Sequence, residues 1–368
     1  MNEQIKINWY RTKVDKQLMS GLMKRSDGKA LAHCLLHLLL FATTVTAAYL
    51  AFLQVNRGNL IWSLPLLLAC LFLHGTFSVY MGGTACHELC HKTPFRSQWL
   101  NDVFLYIFSF LSWFDPVGFR VSHVKHHQVT VHHGHDGEVI LPLNFDWSPA
   151  EHDEVVLPEK LNGKMAWFLI SNLLPFPNPF VMYQRVRTWL KYALGDLKGM
   201  GMYGGGEWWT GVILPDAKPD LRRKHRNWAR ILLFGHLALA AVFIATGHWF
   251  LVLLISCVGY ASWLGNLTGL PQHIGMVPDA PDFRLCCRTY TCSPFIGFLY
   301  WNMQYHVEHH MFPAVPFYNL PALRKAIAHD LPPAPHGLWA TWREIIPVLK
   351  KQRENPDYVF VPDLPNAA

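Results

Sequence analysis

Four stretches of the chain are apolar with almost no formal charge: 31–53, 60–82, 228–245 (with Arg230 near its start) and 250–270. Each is close to the roughly 20 residues that a helix needs to cross a bilayer core. Short polar turns at 54–59 and 246–249 join the first to the second and the third to the fourth. The pattern predicts four transmembrane helices in two hairpins. Two further apolar stretches read differently. Residues 103–114 are about half the required length. Residues 165–183 are long enough, but Pro175, Pro177 and Pro179 remove backbone donors and block a continuous helix. Their aromatic content predicts interfacial helices.

Composition agrees with this reading. Of 368 residues, 51% are hydrophobic and 15% charged, against about 25% charged in ordinary soluble domains. Mean hydropathy is +0.12. A disordered chain is excluded, because disorder needs low hydrophobicity and high charge. The net charge of +7 is unevenly placed. Seven Lys and Arg lie in residues 1–30, one in the first hairpin turn and none in the second. Fifteen lie in 83–227 and eight in 271–368. Basic loops stay in the cytoplasm, so both termini and the central loop are expected there, and no nucleic-acid partner is needed to explain the charge. The expected organisation is a basic cytoplasmic segment (1–30) leading into an uncleaved anchor, a membrane domain (31–330) and a cytoplasmic C-terminal tail (331–368). The eight cysteines show no zinc spacing and read as reduced thiols.

Histidine is the compositional outlier, with 21 residues, and it clusters. His87 and His91 form the first group, His123, His126 and His127 the second, and His306, His309 and His310 the third. Positions i, i+3 and i+4 share one helix face, so each group aims two or three imidazoles into one small volume. A lone histidine on an apolar helix is ordinarily a packed side chain. Three such groups in one chain point instead to a metal centre, for which imidazole suits iron, zinc, copper or nickel. The first group follows the second span and the third follows the fourth, so two passes separate them and they lie on one side. The second joins them if 103–114 does not cross.

The motifs HELCH (87–91), HVKHH (123–127) and HVEHH followed by MFP (306–313) resemble those of the membrane fatty acid desaturase family, in order, spacing and placement over roughly 31–330. The resemblance implies an all-α integral membrane protein whose cytoplasmic cap holds two iron ions. It also adds His273, which follows the fourth span, as a ninth ligand. The implied reaction uses dioxygen as co-substrate to place a double bond in a lipid acyl chain, with electrons from a separate carrier of ferredoxin or cytochrome b5 type. No fused cytochrome b5 motif is present in the sequence. Three intervening residues in the first box lean towards acyl-lipid or sphingolipid enzymes. Glu88, Glu308, Asp136 and Glu138 are expected to orient the ligands, because a metal-bound imidazole needs an acceptor for its other nitrogen.

The remaining histidines carry ordinary readings. His33 and His37 open the first span; His74 is out of phase with His87; His132, His133 and His135 form a polar loop; His152 and His225 give no signal. Cys86 and Cys90 read as buried thiols. Two other functions fit the same groups: a di-iron hydroxylase or ketolase acting on a fatty acid, alkane or carotenoid, and a metal transporter. Transporters place their ligands near the bilayer midplane, whereas these groups sit just beyond the apolar spans.

Overall fold

The computed structural model of the protein describes residues 5–138, 170–198, 206–355 and 357–365. His152 and the start of the 165–183 stretch lie outside them. The described residues are helical, with one isolated bridge between Thr291 and His336 in place of a sheet. Among the described residues, three helices are long and apolar enough to cross a membrane, or four if a bent helix pair at 98–129 counts as one span. The first, α1 (Asp27–Asn56), starts where Ser26 caps the Lys29 amide and carries no further charge beyond its first turn. The second, α2 (Leu60–Tyr80), runs on through a π-helical turn (Met81–Ala85) into α3 (Cys86–Cys90), a helical rod of 31 residues. Next come α4 (Gln98–Ser112) and α5 (Pro116–Val129), bent by 110° at Trp113–Asp115. The third long helix is α6 (Pro219–Ala245).

The expected fourth span is not one helix. Residues 250–270 form α7 (Phe250–Ser256) and α8 (Trp263–Gly269), separated by six residues with Gly259 at φ +95° and Ala261 at φ +45°. The break is held from outside. Ala261 N donates to Leu174 O at 3.2 Å, Trp263 N donates to Asn172 O at 3.2 Å, and Arg185 donates to Val258 O. These partners satisfy backbone groups that an interrupted helix would otherwise leave bare at membrane depth. Uniform hydropathy conceals such a break, because its partners come from another part of the chain.

The long helices are apolar outside and small or polar inside. On α1 the buried stripe is Ala30, Cys34, His37, Phe41, Thr44, Ala48 and Ala51, at helical spacing, while Leu35, Leu36, Leu39 and Leu50 face outward. Lipid is as apolar as leucine, so interfaces between spans are built from small residues and hydrogen bonds. His74 shows this: Nδ1 meets Thr44 Oγ1 at 2.9 Å and Nε2 meets Leu254 O at 2.9 Å. Gly75 lies so close to Tyr260 that an added Cβ would stand 2.3 Å from its carbonyl oxygen.

Two terminal segments close over the far end of this bundle. Near the N-terminus, Trp9 stacks on Phe283 and Tyr10 lies over Arg284, while Thr12 donates to Asp330 at 2.5 Å. Near the C-terminus, helix α10 (Gly337–Glu354) buries Thr341, Ile345 and Val348; Trp342 Nε1 donates to Leu267 O and Phe360 N to Gly275 O. The C-terminal helix and the Phe360 segment therefore pack against the stretch that carries His273. Between them, helix α9 (His306–Met311) is buried at every position.

Candidate metal centre

Local structure fixes the direction of each histidine. The first box sits where the rod of α2 and α3 ends, so His87 and His91 lie on one helix face. The second is carried by α5, which Asp115 caps by accepting from Val117 N and Gly118 N, both at 3.0 Å, with Pro116 in the first turn. The third is α9 itself. His273 follows a 3-10 turn at Leu270–Gln272.

These elements bring the histidines into two adjoining groups. His87, His91, His123, His127 and His309 each place one nitrogen within 4.8 Å of all the others, and so do His126, His273 and His310. His306 borders the second group, its Nε2 lying 2.9 Å from His273 Nε2 and 3.0 Å from His310 Nε2. All nine histidines singled out in the sequence lie in or beside these two groups. His127 and His310 rings stack at 4.2 Å across the seam between the groups.

The outer nitrogens settle which lone pairs point inward. His123 Nδ1 donates to Glu138 Oε1 at 2.6 Å, His126 Nδ1 to Asp136 Oδ2 at 2.7 Å, and His87 Nδ1 to Glu88 Oε1 at 3.1 Å. His273 Nδ1 donates to Cys286 O at 2.9 Å. Thr130 spends its hydroxyl proton on His126 O, so at 3.2 Å it accepts from His310 Nδ1. A neutral imidazole that donates from Nδ1 keeps a lone pair on Nε2. Nε2 atoms of His273 and His310 therefore both face that of His306 with lone pairs, and a single Nε2–H cannot serve two acceptors. Nε2 of His309 and Nε2 of His91 are buried with no hydrogen-bond partner among the described residues. A cation is what such a set fits. Bonds of about 2.1 Å at right angles separate neighbouring nitrogens by about 3.0 Å, against about 3.4 Å for a tetrahedron. The observed 2.9–3.0 Å spacings fall within the range that neighbouring nitrogens on one ion would span.

Electrostatics agree. Burial pushes His306, His309 and His310 well below the usual imidazole range, and repulsion from neighbouring imidazoles adds to it. Burial, then the field of His126, takes His273 down to about 3. All four are held neutral, the form that ligates. Burial likewise pushes the Glu138 carboxyl up to about 7, against the pull of His126 and a hydrogen bond from Ser122. Burial also raises Asp136, but attraction to His126 and the amides of Val131 and Glu138 win and leave it below its ordinary value.

Three of the four acidic residues expected to orient ligands touch an imidazole. Glu88 reaches two, with His309 Nδ1 3.5 Å away as well as His87. Glu308 is a correction. Its carboxylate accepts from Thr289 at 2.5 Å and Arg324 at 3.1 Å, and meets no ligand histidine. Two positions along a helix is about 200° of rotation, so Glu308 points away from His306. Sequence reading missed Thr130 and the Cys286 carbonyl as orienting acceptors; neither leaves a motif. It also missed His225, whose Nε2 lies 3.3 Å from Asp115 Oδ2 with both side chains fully buried. His33 and His37 pack on Phe298 and Trp301.

The fatty acid desaturase family model matches residues 60–342 of the chain. The chain is 23% identical over 267 residues to the Delta(6)-fatty-acid desaturase fat-3 of Caenorhabditis elegans, a match covering 67% of this chain and 54% of the worm protein. It is 22% identical over 291 residues to the sn-1 oleoyl-lipid 12-desaturase of Arthrospira platensis, covering 71% and 69%. A shorter match, 38% over 86 residues, links it to the sphingolipid delta(4)-desaturase DES1 of Xenopus tropicalis, covering 23% and 26%. The chain thus spans about half the length of the worm relative.

Proposed function

The chain belongs to the fatty acid desaturase family, and from that premise we propose that it introduces a double bond into a lipid-linked acyl chain, with dioxygen as co-substrate and electrons from a separate one-electron carrier. The observation that carries this reading is the pair of converging imidazole groups, with lone pairs facing one another across 2.9–3.0 Å. His87, His91, His123, His127 and His309 would hold one iron, and His126, His273, His306 and His310 the other. Bound there, the two ions supply the oxidising power needed to remove hydrogen from an unactivated methylene.

The protein's own part is positioning. Glu88, Glu138, Asp136, Thr130 and the Cys286 carbonyl lock five ring orientations before any ion arrives. An all-nitrogen, uncharged donor set leaves the ions electrophilic. Burial of most of the candidate ligands limits the access of bulk water to the reacting carbon. The nearby sphingolipid and acyl-lipid relatives favour a substrate esterified or amidated in the bilayer over a free acid. Expression with a suitable reductant in a host lacking the activity should yield a new double bond in extracted lipids. A new hydroxyl group, with no double bond, would replace this reading with an oxygenase.

The orientation is part of the proposal. His87 at the end of one apolar rod and His273 at the end of the 250–270 stretch meet in one centre, so an even number of crossings separates them. With the basic flanks, this favours a cytoplasmic cap. Single cysteines introduced near Gly58 and His248 should react only with reagent supplied outside the cell. Labelling of either from the cytoplasmic side alone would reverse the topology.

A further inference from the structure

The candidate metal ligands are mostly buried, yet the proposed reaction needs electrons from outside. Each electron must cross the cap. Among the described residues, two non-histidine aromatic side chains lead away from the imidazoles. Phe119 stacks on His123 at 5.0 Å and continues to Phe114 at 4.9 Å, whose carbonyl accepts from Trp228 on the apolar helix α6. That route runs into the bundle. The other runs outward. His310 meets Phe283 at 5.5 Å between ring centroids, and Phe283 stacks on Trp9 at 4.1 Å with the planes only 9° apart. Phe283 is buried and Trp9 half-buried, so Trp9 is where this stack reaches the surface.

A second connection links the same two ends. Trp9 Nε1 donates to Gln128 O at 3.0 Å. Two residues on, the Thr130 hydroxyl accepts from His310 Nδ1. Trp9 thus reaches His310 by adjoining rings, the first pair stacked and the second tilted, and by a short hydrogen-bonded backbone path. Its chain neighbours Lys6, Arg11 and Lys13 are exposed, a cationic surround that would steer an acidic carrier to this spot.

We propose that Trp9 is the electron inlet of the enzyme, passing electrons from an acidic one-electron carrier through Phe283 to His310. This rests on the di-iron reading above. In each passage one electron leaves the carrier and one ferric ion becomes ferrous; Trp9 and Phe283 end unchanged. Two passages supply one turnover. Trp9 touches neither ion nor substrate and acts through His310.

The test uses the full chain, iron-loaded and kept anaerobic. The probe is reduced plant-type ferredoxin, an acidic one-electron carrier, and the readout is its reoxidation in a stopped-flow cell. Trp9→Leu removes the stacked ring and the indole donor. It should slow reduction about tenfold while iron content and melting temperature stay at wild-type values. Trp9→Phe keeps the ring and loses only the donor, so it should recover most of the rate. An unchanged rate in Trp9→Leu would overturn the inlet. Loss of iron or of melting temperature in step with the rate would overturn it too, by making Trp9 structural. The underlying reading fails separately, if the wild-type chain binds no iron.

Discussion

His309→Ala and His126→Ala should each abolish product formation, and each should leave about one iron where the wild-type chain holds about two. The two belong to different imidazole groups, so the losses come from different sites. Nε2 of His309 is buried without a hydrogen-bond partner among the described residues, and the removed ring leaves no neighbour able to take its place. His126 stands between the second group and Asp136; without it, a buried carboxylate loses its main partner as well as the ion losing a ligand. His273→Ala should behave like His126→Ala. His133→Ala should keep both ions, because that side chain is exposed and paired with Asp279. Metal analysis and lipid analysis on the same preparations decide it. Two irons in His309→Ala would dismiss the first group as a site.

The second large effect lies outside the boxes. His225→Ala should destabilise the protein by about 3 kcal/mol, since truncating one member of a buried pair strands the other. Asp115 is that other member, and it also caps the helix that carries the second box. Reduced iron retention should therefore accompany a lower melting temperature. Asp115→Asn keeps an oxygen for the cap and removes the charge. In that background His225→Ala should cost clearly less, a coupling that a double-mutant cycle reads directly. Strictly additive losses would show that the two side chains act independently.

The comparison of sequence with structure turns on distance along the chain. His87 with His91, or His306 with His309 and His310, announce themselves because three or four residues span one helical turn. The apolar runs at 31–53 and 60–82 declare their helices for a similar reason. His273 has no such neighbour and was reached through family likeness alone. The pairing of His225 with Asp115 joins residues that share no local pattern. Neither did the break after Ser256, whose support comes from Asn172, Leu174 and Arg185. Glu308 misled for the opposite reason: adjacency in sequence suggested contact, whereas helical phase turned it towards Arg324.

The π-helical turn at Met81–Ala85 stands between the long apolar part of its rod and the part that carries the first histidine box. Such a turn holds one residue more than an α-helix would at the same rotation. Each residue added to or taken from an α-helix rotates everything beyond it by about 100°. Indels in 60–80 should therefore be tolerated unequally. A one-residue deletion can be absorbed if the π turn relaxes to α geometry, leaving His87 and His91 in phase and the apolar length trimmed for a thinner bilayer. A one-residue insertion finds no such reserve and swings the first box out of the centre. In a deep scan of this segment, viable deletions should outnumber viable insertions.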